Sequence, residues 1–350
     1  MKNEIKTISV NTSKRYDVII GKDILSKTGE MIKKVIKPCK IALITDDVVD
    51  KLYSSRVIKS IESADFKVVK FVFKAGEQSK NLTVYGQILS FMAENQLTRT
   101  DAVVALGGGV VGDIAGFSAA TFLRGISYVQ IPTTLLAQID SSIGGKTAID
   151  LPQGKNLVGA FKQPSLVICD VNTLNTLPDI IYSDGMGEAV KYACLDEKVY
   201  SLLLSKAYDI QDLVYLSIDY KRQVVEADEF EGGMRKLLNL GHTFAHAIEK
   251  LSDFSISHGH AVAMGIKMIL QTSLNHGYID KALYENLTKI VNLNTGDNKC
   301  PYSIKKLCTA MQSDKKRSGD KITLITVNGI GDCRQKEMLL SDLEGFFDER

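Results

Sequence analysis

No two of the six cysteines (Cys39, Cys169, Cys194, Cys300, Cys308 and Cys333) form a C-x-x-C pair. That argues against a structural zinc knuckle and reads as reduced, mostly buried thiols of a cytoplasmic protein. Neither sign of charge is in excess, since Lys plus Arg number 43 against 41 Asp plus Glu. No global field therefore draws nucleic acid, and an anionic partner must be held by local lysines and arginines. The start, Met-Lys-Asn-Glu-Ile-Lys, has no apolar signal region. The most apolar window, 102–122, is interrupted by five glycines and Asp113, which argues against a membrane span. Internal repeats and low-complexity tracts are absent as well. What remains is a folded globular chain of 350 residues, 24% of them charged, long enough for two domains with substantial cores.

Residues 5–20 alternate weakly and read as strands closed by Gly21, and 24–36 is helical in pattern up to Pro38. Ile41-Ala-Leu-Ile-Thr is a short apolar run ending in Asp46-Asp47, the pattern of a buried parallel strand. A helix over about 48–63 and a strand over 67–73 complete a β-α-β unit. A loop at 76–80, a helix at about 82–95 and buried strands at 102–106, 128–131 and 166–170 follow. After about 177 helical patterns dominate, at about 180–194, 197–205, 209–227, 235–250, 258–276 and 280–291. One late strand stands at 321–327. The expected fold is an α/β N-terminal domain, Rossmann-like with a mostly parallel, dinucleotide-binding sheet, over 1–176. A mainly α-helical C-terminal domain over 177–350 is expected to follow it.

The strand at 102–106 runs straight into Gly107-Gly-Gly-Val-Val-Gly-Asp113, so Gly107, Gly109 and Gly112 match the dinucleotide fingerprint in its strand-to-helix context. Such glycines let backbone N–H groups approach a pyrophosphate, and the helix start adds partial positive charge. The same pattern fits a glycine-rich turn that holds no nucleotide. No acid ends a strand about twenty residues downstream, where this motif keeps its ribose-binding acid. The best acids, Asp46 and Asp47, lie on an earlier strand. Thr133 and Thr134 follow a strand, where threonines either offer hydroxyls to a cofactor or cap a helix. Asp140-Ser-Ser-Ile-Gly-Gly-Lys146-Thr-Ala and Gly154-Lys155-Asn156 put two lysines beside glycines, as solvated loops or as functional ones. A P-loop is excluded because Asp140 stands where its first glycine must be.

The other concentration of chemistry is histidine. Four of the five lie at 242, 246, 258 and 260. Arg235, Asn239, His242, His246 and Glu249 recur at steps of four, three, four and three, which predicts one helix over about 235–250 with a single polar stripe. Its other face is apolar (Leu237, Leu238, Leu240, Phe244, Ala245, Ala247, Ile248, Leu251), so the stripe must meet partners or a wet cavity. Glu188 and Lys191 lie three apart on another predicted helix. With His242 and His258, Glu188 completes a three-ligand catalytic zinc set that leaves a fourth position open. The ligands come from three separate segments, so spacing does not establish the site, and structural histidines are the alternative. Thr243 occupies the glutamate position of H-E-x-x-H, which excludes a metalloprotease.

These segments together resemble the 3-dehydroquinate synthase family, a branch of the sugar-phosphate cyclases distantly similar to glycerol dehydrogenases. The resemblance rests on Gly-Glu-x-x-Lys at 76–80, Gly-Gly-Gly-Val-Val-Gly-Asp at 107–113, Arg124-Gly and Gln-Ile-Pro-Thr-Thr-Leu-Leu-Ala-Gln at 130–138. It continues with Asp-Ser-Ser-Ile-Gly-Gly-Lys-Thr-Ala, Gly-Lys-Asn, Gly-Glu-Ala-Val-Lys-Tyr, Leu-Asn-Leu-Gly-His-Thr-Phe-Ala-His-Ala-Ile-Glu, His-Gly-x-Ala-Val and Asp314-Lys-Lys316. It implies an NAD- and zinc- or cobalt-dependent lyase that turns 3-deoxy-D-arabino-heptulosonate 7-phosphate into 3-dehydroquinate and phosphate, the second step towards chorismate. The implied course is transient oxidation by NAD, phosphate elimination, re-reduction and intramolecular aldol closure.

Carried over residue by residue, the resemblance implies Glu188, His242 and His258 as metal ligands, in a crevice dividing the two lobes. NAD would be held by Ala75, Gly76, Glu77, Gln78, Ser79 and Lys80, and by Gly108, Gly109, Val110, Val111, Gly112 and Asp113. Thr133, Thr134, Lys146, Lys155, Thr173, Leu174, Asn175 and Thr176 would join them, with Asp46 near the adenosine ribose. Lys146, Asn156, Lys191, Lys221, Arg235, Asn239 and His246 would contact the sugar-acid phosphate, with Asp140 and one of Lys315 and Lys316. Arg124 would reach across a homodimer interface. His260 stands where many members have glutamate, as a changed neighbour of the metal site or as a structural histidine. Alternatives are a related cyclase acting on another sugar phosphate, a metal-dependent polyol dehydrogenase, and a non-catalytic metal- or nucleotide-binding protein.

Overall fold

The computed structural model describes residues 4–205, 207–297, 299–312 and 320–348. The chain divides into two compact units, one of Met1–Leu177 with Ile210–Glu229, the other of Pro178–Asp209 with Phe230–Arg350.

The first unit is built on seven strands: β1 (Lys6–Val10), β2 (Tyr16–Gly21), β3 (Lys40–Asp46), β4 (Lys67–Phe73), β5 (Ala102–Gly107), β6 (Ser127–Pro132) and β9 (Leu166–Asp170). Their order is β1-β2-β9-β6-β5-β3-β4, parallel throughout except for the antiparallel β1–β2 pair. Every residue of β5 is buried, as a strand covered on both faces requires. Its alternate residues feed opposite cores: Ala102, Val104 and Leu106 pack with Ile41 and Leu43, whereas Val103 and Ala105 pack with Ala42, Ile44 and Ile114. The chain leaves β3 outward to β4 and returns on the other side of β3 as β5. This reversal is the topological switch at which open α/β sheets bind ligands, beyond the carboxyl ends of the strands.

A hairpin, β7 (Lys146–Leu151) with β8 (Gly154–Phe161), occupies the stretch read above as loops around Lys146 and Lys155. The helix Ile210–Ala227 buries Leu213, Val214, Ile218, Val224 and Val225, and packs on β1, β2 and the segments Ala137–Ser141 and Val171–Thr176. It thus belongs to the first unit, and the expected C-terminal domain over 177–350 is corrected to omit it. Its helical pattern is legible in the sequence over about 209–227, but which sheet it covers is not.

The second unit is mainly helical, with Asp179–Leu195, Glu197–Ser205, His242–Leu251, His258–Asn275, Lys281–Thr295 and Ile304–Gln312. The hairpin β10 (Lys321–Gly329) and β11 (Asp332–Leu339) packs β10 on the His258–Asn275 helix. β11, the partner of the expected late strand, has half-exposed polar alternation that gives little apolar signal. The helix expected over 235–250 is not continuous. Met234–Asn239 is a 3-10 turn, and a new helix starts at His242. Gly241 between them is left-handed (φ +80°) and lies against the next helix, where an added Cβ would stand 2.9 Å from the Val262 carbonyl oxygen. The polar stripe is therefore two stripes on two elements. Among the described residues no helix is long and apolar enough to cross a membrane.

Candidate active site

At the end of β5 the glycines leave no room for side chains. A Cβ on Gly107 would stand 2.5 Å from Val111 Cγ2, and one on Gly108 2.9 Å from Thr134 Cγ2. Gly112 lets the following helix, Gly109–Thr121, settle on β6, with the Tyr128 hydroxyl donating to the Gly112 carbonyl at 2.6 Å. Register pairs Thr45 with Leu106, so Asp46 comes level with Gly107 on the neighbouring strand. One Asp46 oxygen caps the turn after β3 by accepting from the Val48 and Val49 N–H groups, each at 2.9 Å. Asp47 accepts from the Ala75 N–H at 2.8 Å, which ties the 75–80 loop to the same strand end.

The two threonines after β6 part company. Thr134 accepts from the Ala137 N–H at 3.3 Å and so caps, whereas Thr133 Oγ1 is buried with no hydrogen-bond partner. An orphaned buried hydroxyl beside a glycine cradle that a Cβ would fill fits a dinucleotide at this strand end. Val111 and Leu174 are core residues, 1% and 6% exposed, so any cofactor contact of theirs is through the main chain. Asn175 and Thr176 are exposed, and the Thr176 hydroxyl pairs with Tyr53. Gly76 has φ +118° and leads into the Glu77–Ser79 turn that contains Gln78.

Lys80 is buried and already committed, to Asp113 at 2.7 Å and to Asn156 Oδ1 at 2.5 Å. Lys221 reaches Asp140, its Nζ 2.6 Å from the carbonyl and 2.7 Å from Oδ1. Lys146 is exposed at the start of β7, and Lys155 and Asn156 lie on β8. Arg124 is exposed on a turn in which Leu123 and Arg124 both have positive φ.

In the second unit Glu188, His242 and His258 converge, each offering one ligand atom, with all three atoms within 4.8 Å of one another. Glu188 Oε1 lies 3.2 Å from His242 Nε2 and 3.1 Å from His258 Nε2. A tetrahedral ion with bonds of about 2.0–2.1 Å spaces its ligand atoms by about 3.3 Å, so the set fits zinc or cobalt. Outer partners orient both imidazoles. His242 Nδ1 donates to the Leu240 carbonyl at 3.2 Å, and His258 Nδ1 faces Glu249 Oε2 at 3.4 Å.

Burial opposes charge on Glu188, but the Lys191 ammonium 2.6 Å away and the histidines hold its carboxyl well below the usual range. Burial likewise opposes a charged His258, yet the hydrogen bonds its ring donates to Glu188 and Glu249 raise it to about 10. His246 is exposed one turn beyond His242, its ring centroid 6.5 Å from that of His258. Arg235 is only 2% exposed, and Asn239 donates to Glu231 at 2.9 Å. Lys316 lies outside the described residues.

The 3-dehydroquinate synthase N-terminal signature matches residues 70–184, and the 3-dehydroquinate synthase C-terminal signature matches residues 185–317. A 3-dehydroquinate synthase of Clostridium acetobutylicum is 43% identical over 94% of this chain and 95% of its own length. One of Streptococcus mutans is 38% identical over 98% of this chain and 99% of its own. The chain belongs to the 3-dehydroquinate synthase family. Solved structures extend the likeness of fold. 2-Deoxy-scyllo-inosose synthase, complexed with carbaglucose-6-phosphate, NAD+ and Co2+, has a TM-score of 0.85 at 23% identity, covering 98% of this chain and 99% of that one. 2-Epi-5-epi-valiolone synthase of Streptomyces hygroscopicus, with NAD+ and Zn2+ bound, has 0.84 at 22%, covering 97% of each chain.

In this 3-dehydroquinate synthase family member the glutamate position taken by His260 engages Asp184 and two serines. His260 Nδ1 pairs with Ser257 Oγ at 2.7 Å and lies 3.5 Å from Asp184, while Nε2 meets Ser183. The outer carboxylate on His258 is Glu249, which sequence reasoning had placed in the polar stripe without that role. Its signal was its three-residue step beyond His246.

Proposed function

We propose that this member converts 3-deoxy-D-arabino-heptulosonate 7-phosphate to 3-dehydroquinate and phosphate, as a carbon–oxygen lyase that uses NAD and one divalent ion. The observation that carries the reading is the Glu188–His242–His258 set with its outer Glu249 and Lys191, in a chain 38–43% identical to enzymes of that name. When bound, the ion supplies Lewis acidity and NAD supplies reversible oxidation of a substrate alcohol.

The chain's own residues bind and orient. Glu249 and the Leu240 carbonyl each engage Nδ1 of a ligand histidine, leaving both Nε2 atoms facing Glu188. Lys191 keeps Glu188 ionised in a buried setting. Arg235 offers a fork suited to a carboxylate, and Lys146 and Lys221 offer point charges suited to phosphate. His246 exchanges a proton at its imidazole with the departing or entering groups. The nucleotide would lie along Gly108 to Asp113, with Thr133 donating its free hydroxyl and Asp46 toward the ribose. Such an enzyme needs few dedicated bases, because it works by orientation and charge neutralisation. We read it as a cytoplasmic homodimer to which Arg124 contributes across the interface, a reading that sedimentation of wild type and Arg124→Glu would check.

Incubation with the heptulosonate phosphate and sub-stoichiometric NAD is expected to release phosphate without a lasting rise in NADH absorbance. A stoichiometric rise would instead mark a polyol dehydrogenase. A strong chelator is expected to abolish turnover and zinc or cobalt to restore it. Full activity after exhaustive chelation and dialysis would reject the ligand set.

A further inference from the structure

Two helices of the second unit touch backbone to backbone beside the ligands they carry. Gly187 precedes Glu188 on the Asp179–Leu195 helix, and Gly259 follows His258 on the His258–Asn275 helix. A Cβ built on Gly259 would lie 1.8 Å from the Asp184 carbonyl oxygen, and one on Gly187 would lie 2.0 Å from the Gly259 carbonyl oxygen. Both obstacles are main chain, so no side-chain rearrangement relieves them. Asp184 also clamps the crossing, since its Oδ1 accepts from the His260 N–H at 3.1 Å. That N–H lies in the first turn of its helix, where donors have no partner within the helix.

The displacement has a direct route to the ligands. In an α-helix a carbonyl pairs with the N–H four residues on, so the Asp184 carbonyl belongs to the turn that carries Glu188. His258 is the first residue of the other helix and moves with it. Relieving a methyl at Gly259 would part the helices by about 1 Å, whereas a metal site tolerates only about 0.2 Å in its bond lengths.

We infer that the Gly187–Gly259 crossing, clamped by Asp184, is the positioning device of the cation site and sets the 3.1 Å separation of Glu188 Oε1 from His258 Nε2. The inference rests on the reading of these side chains as a metal site. Cobalt binding to the full chain tests both, through the visible absorption of the tetrahedral ion and competition with a chromophoric chelator. Wild type that binds no cobalt overturns the metal reading, and the inference with it. With wild type binding, Gly259→Ala is expected to lose about tenfold or more in cobalt affinity and to change the spectrum. Gly345→Ala, whose methyl meets nothing within 4 Å, is expected to match wild type in both. Asp184→Ala is expected to lose affinity, and Asp184→Asn, which keeps an acceptor for the His260 N–H, to recover most of it. Wild-type affinity and spectrum in a folded Gly259→Ala overturns the inference. So does equal loss in the two Asp184 variants, which would assign the effect to charge and not to geometry. If Gly259→Ala does not fold, the Asp184 pair decides alone.

Discussion

Lys80 remains charged at 4% exposure. Burial disfavours its ammonium, but Asp113 and Glu77 together lift its pKa above the ordinary lysine value. At Asp113 burial outweighs Lys80, and the carboxyl is held above its usual range. Replacing the cation by an apolar side chain of similar length leaves Asp113 without its charge partner, so Lys80→Met is expected to lower unfolding free energy by about 3–5 kcal/mol at neutral pH. The loss is expected to shrink as pH falls and Asp113 takes up a proton, which urea titrations at two pH values would reveal. A constant deficit would contradict the charge argument. The cysteines make a complementary case. Burial, with Asp101 adding to it, pushes the half-buried Cys39 thiol up to about 11, and burial pushes Cys333 up to about 12. At pH 8 about one Cys39 in a thousand is thiolate, so alkylation is expected to be slow and to rise about tenfold per pH unit. Rapid labelling of Cys39 at pH 7, read by peptide mass spectrometry, would contradict this.

The 75–80 loop hangs on Asp47, whose carboxyl Lys74 and the Ala75 N–H hold below its usual range. A depressed carboxyl stabilises above its unfolded pKa of about 3.9, and that contribution is lost as pH falls through the folded value. Protection of the Ala75 amide from exchange, corrected for intrinsic rate, is therefore expected to fall below about pH 4 and to be absent in Asp47→Ala. Unchanged protection in that variant would detach the loop from this tie. The histidine segment shows how an element can be half legible. Residues 242–251 form the helix their spacing implies, but Arg235 and Asn239 sit on a separate turn. A four-three step is compatible with one long helix, and only the packing of Gly241 against Val262 and Ile266 breaks it. The β7–β8 hairpin escaped for a related reason, since no residue of β8 is buried and its large apolar side chains Leu157 and Phe161 lie exposed, so the strand carries no clear buried-face period.

Across the molecule, the helix Ile210–Ala227 returns to the first unit after an excursion through the second. A chain cut after Leu177 is expected to unfold without cooperativity, because β1, β2 and the 137–141 segment lose their cover. Replacing 178–209 by a flexible linker and ending at 229 is expected to restore a cooperative urea transition. Equal behaviour of the two fragments would show the helix to be dispensable. Ile218 is fully buried in this packing, and Ile218→Ala is expected to cost about 2–5 kcal/mol in the whole protein. The buried runs of β3, β5 and β9 and the glycine turn declared themselves in the amino-acid sequence, because burial on both faces and a strand-to-helix fingerprint are local signals. So did the residue types of the candidate metal set, and the ordered motifs that mark the family. Tertiary structure alone decided which sheet the 210–227 helix covers, that Glu249 backs His258, and that Gly187 and Gly259 meet where the helices carrying Glu188 and His258 cross. Each of these depends on contacts between residues distant along the chain, and local periodicity carries no information about such distances.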